Sequence, residues 1–135
     1  MTDEELIEKF EDGSLPIASF HHEQHVRVAF LYLREYPVLD VLSRFPANLK
    51  RYAAAHGKNG LYHETITWAH LFIINERISK ERESQTWDEF RQANADLFDT
   101  SSSVLKQYYR EETLASAVAR ERFVMPDRLF ARSSE

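Results

Sequence analysis

The chain contains no cysteine and only three glycines and four prolines. The first absence removes disulfides, thiolate nucleophiles and thiolate ligands, so a bound metal would have to be held by nitrogen and oxygen donors. The scarcity of glycine and proline leaves few breaks in the backbone and favours long helices. No stretch alternates apolar and polar residues in the way a half-buried strand requires. No apolar run approaches the roughly 18 residues of a membrane span, and the opening Met1-Thr2-Asp3-Glu4-Glu5 is acidic where a secretory signal would be basic. The expected location is therefore cytoplasmic. A basic excess is also missing: 17 Lys and Arg stand against 22 Asp and Glu, a formal charge of −5, which disfavours nucleic acid or an anionic membrane as partner. Internal repeats, a glycine-rich phosphate loop and a nucleophile elbow are likewise absent.

What remains is a chain of 135 residues with 43% hydrophobic and 13% aromatic content, enough to bury one core without staples. It reads as a single domain over 1–135, all-α, a compact helical bundle with two long central helices and an extended C-terminal tail. Thr2 caps a short helix over 3–12 that stops at Gly13. Ser19 is the expected cap of a helix over 20–35, which ends before Pro37. A third helix runs over 38–56, where Pro46 removes an amide donor and is expected to kink or divide it, and Gly57 stops it. A fourth, over 62–83, contains no Gly or Pro and reads as the longest. Thr86 and Glu89 form a capping box for a helix reaching about Ala95. Serines 101 to 103 can cap another to Tyr109, and a last helix covers 115–121. Phe123-Val124-Met125, closed by Pro126, reads as a tail packed on the body.

All six histidines fall between positions 21 and 70. On the 20–35 helix, Glu23, Arg27 and Arg34 lie within about 40° of one another and mark a wet stripe with a favourable Glu23–Arg27 pair. His25 projects onto the opposite pole beside Ala29 and Tyr32, with His21 about 40° to one side and His22 about 60° to the other. On the fourth helix Thr65, Ala69, Glu76, Lys80 and Glu83 mark the wet side, and Thr67, Leu71, Ile74 and Ile78 the buried one. His63 and Glu64 flank that buried face, with His70 further out. A helix N-terminus disfavours imidazolium, and a neutral ring is what a metal or a general base needs. His22, His25 and His63 are thus the candidate metal ligands, and Glu64 is a fourth ligand or the proton carrier. His21 fits the rim, His56 a C-terminal cap, and His70, with Trp68, aromatic packing between helices. First-turn acids and capping histidines also occur with no site at all. The arginines at 110, 120, 122, 128 and 132 share their stretch with four acids, so surface pairing is expected there.

Familiar assignments fail on the residues. His63-Glu64-Thr65-Ile66-Thr67 starts like the zinc-protease motif, but Thr67 stands where its second histidine belongs. No glutamate lies three residues before a histidine, as carboxylate-bridged di-iron bundles require. The run Phe20-His21-His22-Glu23-Gln24-His25, followed by Ala53-Ala54-Ala55-His56-Gly57 and Tyr62-His63-Glu64-Thr65-Ile66-Thr67, resembles a group of small bacterial proteins. That group carries Phe-x-His-x-x-His, an Ala-rich helix ending in His-Gly, and Tyr-His-Glu-Thr-x-Thr, with similarity continuing to Pro126-Asp127-Arg128. The resemblance spans most of the chain and implies no activity. It points to His22, His25, His63 and Glu64, leaves His21 open, and would have an uninterrupted helix where Pro46 stands. A looser likeness to DinB-type metal-binding bundles is one of architecture alone.

The expected function is binding of a divalent transition metal, zinc or iron, in a histidine-rich pocket that serves a small-molecule reaction. Two alternatives stand beside it: a metal-free His–Glu acid–base site, and a non-catalytic ligand-binding or interaction protein whose histidines form a buried polar network. The expected partner is a small molecule, and a homodimer is compatible with the sequence.

Overall fold

Thr2 and Glu5 start the first helix by reciprocal capping. Thr2 Oγ1 accepts from the Glu5 amide at 3.1 Å and Glu5 Oε1 accepts from the Thr2 amide at 2.9 Å, pairing two donors that the first turn leaves open. The computed structural model describes residues 1–78, 80, 81, 84–99 and 103–128. Within them lie seven α-helices and no strand: α1 Asp3–Glu11, α2 His22–Glu35, α3 Val38–Ala55, α4 Glu64–Arg77, α5 Trp87–Ala93, α6 Glu111–Leu114 and α7 Ala117–Glu121. The protein is all-α, as its composition implies.

Several boundaries differ from expectation for local reasons. Ser19 does not cap α2, because the amides of Ser19 and Phe20 close a 3₁₀ turn onto Pro16 and Ile17. The helix begins at His22, with His21 as its cap. Pro46 is buried inside α3, which runs through it undivided, so packing outweighs the lost hydrogen bond. With 18 residues α3 is longer than α4, which has 14 and ends at the Ile78 cap. Positions 79, 82 and 83, to which α4 was expected to reach, lie outside the described residues. The 3₁₀ turn Val104–Gln107 occupies a stretch expected to be α-helical, and a further 3₁₀ turn, Ala95–Phe98, follows the expected end of α5. Helix α7 falls within the expected C-terminal helix, while α6 is a separate short helix ahead of it. Ser103 caps the second turn, whereas Ser101, Ser102 and Arg132 are outside the described residues.

Gly57, at φ +68°, ends α3 in a conformation that a β-carbon would strain. The Gly57 amide bonds to Ala54 O and the Lys58 amide to Ala53 O, the paired closure of a Schellman motif. This fixes where Lys58 leaves the helix.

Helices α2, α3 and α4 pack mutually, α1 lies across α2 and α3, and α7 lies against α4. Phe10, Phe30, Leu33, Val41, Leu71 and Ile74 form the centre of the core, each no more than 1% exposed. The stripe expected to be wet on α2 is instead bridged. Arg27 pairs with Asp3 of α1 at 2.6 Å, and Glu23 with Arg91 of α5 at 3.2 Å, so Glu23 and Arg27 serve neighbouring helices rather than each other. The wet side of α4 is corrected too: Thr65 and Ala69 are buried, because α7 and the tail after it cover that face. Thr65 Oγ1 donates to Arg122 O at 2.8 Å and accepts from the Val124 amide at 3.0 Å. The tail is extended, as expected, and held at a second point where the amides of Asp127 and Arg128 reach Tyr108 O.

Thr65→Val keeps the shape of the side chain and leaves the Arg122 carbonyl and Val124 amide unpaired. It is expected to lower stability by roughly 1–3 kcal/mol in urea denaturation, with Thr65→Ser close to the parent. Equal stability of the Val and Ser variants would contradict this account of the tail.

Candidate functional site

Four of the six histidines meet in one place. A cavity of about 440 Å³ lies among α2, α3 and α4, and His22, His25, His63 and His70 all line it. The rest of its wall is mainly apolar, with Phe20, Ala29, Phe45, Leu49, Ile66 and Leu71 among its residues. Cavities of this size and character hold small molecules, with a few polar groups fixing orientation.

The ring nitrogens divide into those already bonded and those left open. His63 caps α4 by accepting the Ile66 amide on Nδ1 at 3.1 Å, and its Nε2 donates to Leu114 O at 2.7 Å. A carbonyl only accepts, so the ring is the neutral Nε2–H tautomer with no lone pair free. His22 donates from Nε2 to Leu97 O at 2.8 Å, which leaves Nδ1 as an open acceptor. His70 donates from Nδ1 to Ile66 O, one turn earlier, at 3.0 Å, which leaves Nε2 open. His25 has its ring stacked on Phe20, with 3.9 Å between centroids, and neither nitrogen finds a hydrogen-bond partner among the described residues. The rings of His22 and His70 stand 5.8 Å apart, edge to face.

Other polar side chains in the wall bond to the protein. The Tyr52 hydroxyl donates to Leu15 O at 2.7 Å, and the Thr67 hydroxyl to His63 O at 2.8 Å. Tyr62 donates to Glu64 Oε1 at 2.5 Å, and burial together with that carboxylate pushes the phenol well above its usual range. Glu64, the expected proton carrier, is half-buried and does not line the cavity. His21 is exposed. His56 donates from Nε2 to Gly13 O at 3.0 Å, tying the end of α3 to the turn after α1.

The sequence therefore located His22, His25 and His63 in one cavity and missed His70 and Lys58 there. A signal for His70 was available. Seven residues return a helix to within about 20° of the same direction, so His70 shares the face of His63. Taking Thr65 and Ala69 as the wet side displaced the centre of that face. Among the described residues, no group of three or more His, Asp or Glu side chains stands close enough to hold one metal ion. No described helix is long and apolar enough to cross a membrane. Comparisons with known protein families, curated proteins and solved structures give no match to the chain.

Burial, reinforced by charge on neighbouring His22 and His70, lowers His25 from its ordinary 6.5 to about 4. Burial and His22 likewise bring His70 from 6.5 to about 4, against the opposing hydrogen bond to Ile66. As pH falls below 6.5 the unfolded chain takes up these protons first, so the native state loses stability until both rings titrate near pH 4. Each ring is expected to add a slope of roughly 1 kcal/mol per pH unit across that window. Urea denaturation between pH 7 and 4 checks this. The slope should flatten in the His25→Phe/His70→Phe double variant, and an unchanged slope would contradict it.

Proposed function

We propose that the protein binds a small, mainly apolar molecule in the cavity among α2, α3 and α4, with His22, His25 and His70 supplying its polar contacts. The observation that carries this reading is a set of histidines with unbonded ring nitrogens lining one mainly apolar cavity. His25 lines the cavity, and neither of its ring nitrogens has a hydrogen-bond partner among the described residues. A bound molecule offering a hydroxyl, carbonyl or amide would complete them.

Binding is favoured over proton transfer by magnitude. A ring titrating near 4 is protonated in about one molecule in a thousand at pH 7, and it is a weak base at that pH. Glu64 bonds to Tyr62 rather than to a histidine, so the His–Glu pair expected of an acid–base site has no counterpart in the contacts. His25 is then a hydrogen-bonding group whose neutral form is maintained by burial.

A second reading retains a transition metal. One observation favours it: His22 Nδ1 and His70 Nε2 keep open lone pairs on rings 5.8 Å apart. These two would hold zinc or iron with water or the bound molecule filling the remaining positions. His63 would contribute only by giving up the cap of α4. Protein purified without a metal-affinity step and dialysed against zinc would then carry close to one zinc per chain by elemental analysis, lost in His22→Ala and His70→Ala. A ratio below about 0.1 would remove this reading.

For the principal reading, 2-naphthylmethanol is a neutral probe with an apolar body and one hydroxyl. Calorimetry is expected to show saturable binding at one site, weakened about tenfold by His25→Phe through loss of one buried hydrogen bond. Ala53→Trp, which places an indole at the partly exposed edge of the cavity, should abolish it. Binding that survives Ala53→Trp, or no binding at all, would overturn the proposal.

A further inference from the structure

The charge around the cavity is one-sided. Among the described residues lining it, Lys58 is the single formally charged side chain, and no carboxylate faces the space. This is unusual in a chain whose acids outnumber its bases by 22 to 17. Two further cations gather on the same segment of wall, between the end of α3 and the start of α4. Lys50 Nζ stands over the Tyr62 ring at 4.8 Å from its centroid, and Arg120 Nη1 reaches Gly60 O at 3.3 Å and Tyr62 O at 3.2 Å. Glu64, at the start of α4, takes the Tyr62 hydroxyl. Lys58, Lys50 and Arg120 thus bring three cations to this segment.

Backbone geometry holds Lys58 in position. Its amide closes the Schellman motif on Ala53 O at 2.7 Å, and Ala53 and Lys58 both line the cavity. Leu61, 70% exposed, and Ile17, 43% exposed, are the solvent-facing apolar residues of the same wall. Lys58 therefore belongs to the open end, and the rings of His25 and His70 to the interior.

From this arrangement we propose that the occupant is a monocarboxylate with a mainly apolar body, its anionic head at Lys58 and the polar group of its body toward His25 and His70. The inference rests on the binding reading above and adds the sign of the head group. An ammonium head would meet Lys58, with Lys50 and Arg120 beyond it on the Tyr62 segment, and no carboxylate lines the cavity to receive it. A neutral head would leave Lys58 without a counterion and gain nothing from the local excess of positive charge. An anion near these side chains gains a charge-assisted hydrogen bond, stronger than a neutral one, and the attraction weakens with added salt because this end is solvated.

The test uses one scaffold with three heads: 2-naphthoate, 2-naphthylmethanol and 2-naphthylmethylammonium, titrated calorimetrically into the full chain at pH 7. The order expected is 2-naphthoate tightest, the alcohol about tenfold weaker and the ammonium weakest. Lys58→Met should bring 2-naphthoate down to the level of the alcohol and leave the alcohol unchanged. Raising the salt from 50 to 500 mM should weaken 2-naphthoate alone. Lys58 is exposed and its contribution to the turn is its amide, so the variant is expected to fold, and its melting temperature checks this. If the alcohol and the ammonium bind, Ala53→Trp blocks both, and 2-naphthoate shows no advantage, the head-group inference falls while the cavity reading stands. If 2-naphthoate is preferred but Lys58→Met does not reduce it, the assignment of the head to Lys58 falls. If no probe binds, both fall together.

Discussion

Helix α4 has to be covered over most of its circumference. Ala69, Leu71, Ile73 and Ile74 are all buried, and only a narrow stripe carrying Phe72 and Glu76 is left to water. The bundle supplies this cover from two sources: α2 and α3 on one flank, α7 and the following tail on the other. The side chains that join these sources sit at or near the start of α4. Thr65 clasps the tail with two hydrogen bonds. His63 caps the helix with one nitrogen and reaches Leu114 with the other. Removing a partner from such a buried network costs more than the bond contributed, because the remaining atom stays desolvated.

That constraint explains why the histidines are not equivalent. A ring bonded at both nitrogens orients helices and offers nothing to a ligand. His63, the residue most conspicuous beside Glu64 in the sequence, is of this kind. His22 and His70 are each anchored at one nitrogen and open at the other, and His25 is held by stacking alone. The result is a cavity whose polar atoms are few and mostly oriented by neighbours. Burial keeps His25 and His70 uncharged well below neutrality. An apolar cavity with neutral donors and acceptors inside and a lysine at its open end differs in character from both an ionised catalytic dyad and a carboxylate-rich metal centre.

Much of the fold was legible in the sequence because local signals are strong at helix ends. Thr2 with Glu5, Thr86 with Glu89, and Gly57 did what their residue types predict. Boundaries shifted where a residue had a competing local use, as with Ser19 in its 3₁₀ turn, or where tertiary packing overrode a breaker, as with Pro46. The site was legible in part. Helical geometry brought His22 and His25 to the inner face, and the structure puts both in the cavity wall with His63. It could not reveal that α4 is wrapped by the chain's own C-terminal segment, so Thr65 and Ala69 were read as solvent-facing and His70 was displaced from the site. Nor does spacing disclose which ring nitrogen is bonded, since Leu97 and Leu114, whose carbonyls make those bonds, are remote in sequence. Lys58 was hidden for a similar reason: a residue after a helix stop reads as surface, and only the turn of the chain carries it to the cavity.

The division of the histidines into bonded and open rings is the centre of this account, and imidazole nitrogen NMR tests it directly. Long-range proton–nitrogen correlation spectra at pH 7 distinguish a protonated nitrogen from a bare one in each ring. The account predicts the Nε2–H tautomer for His63 and His22 and the Nδ1–H tautomer for His70, with His25 the ring that responds most to a bound probe. A His63 ring found as the Nδ1–H tautomer, or exchanging freely between the two, would contradict it.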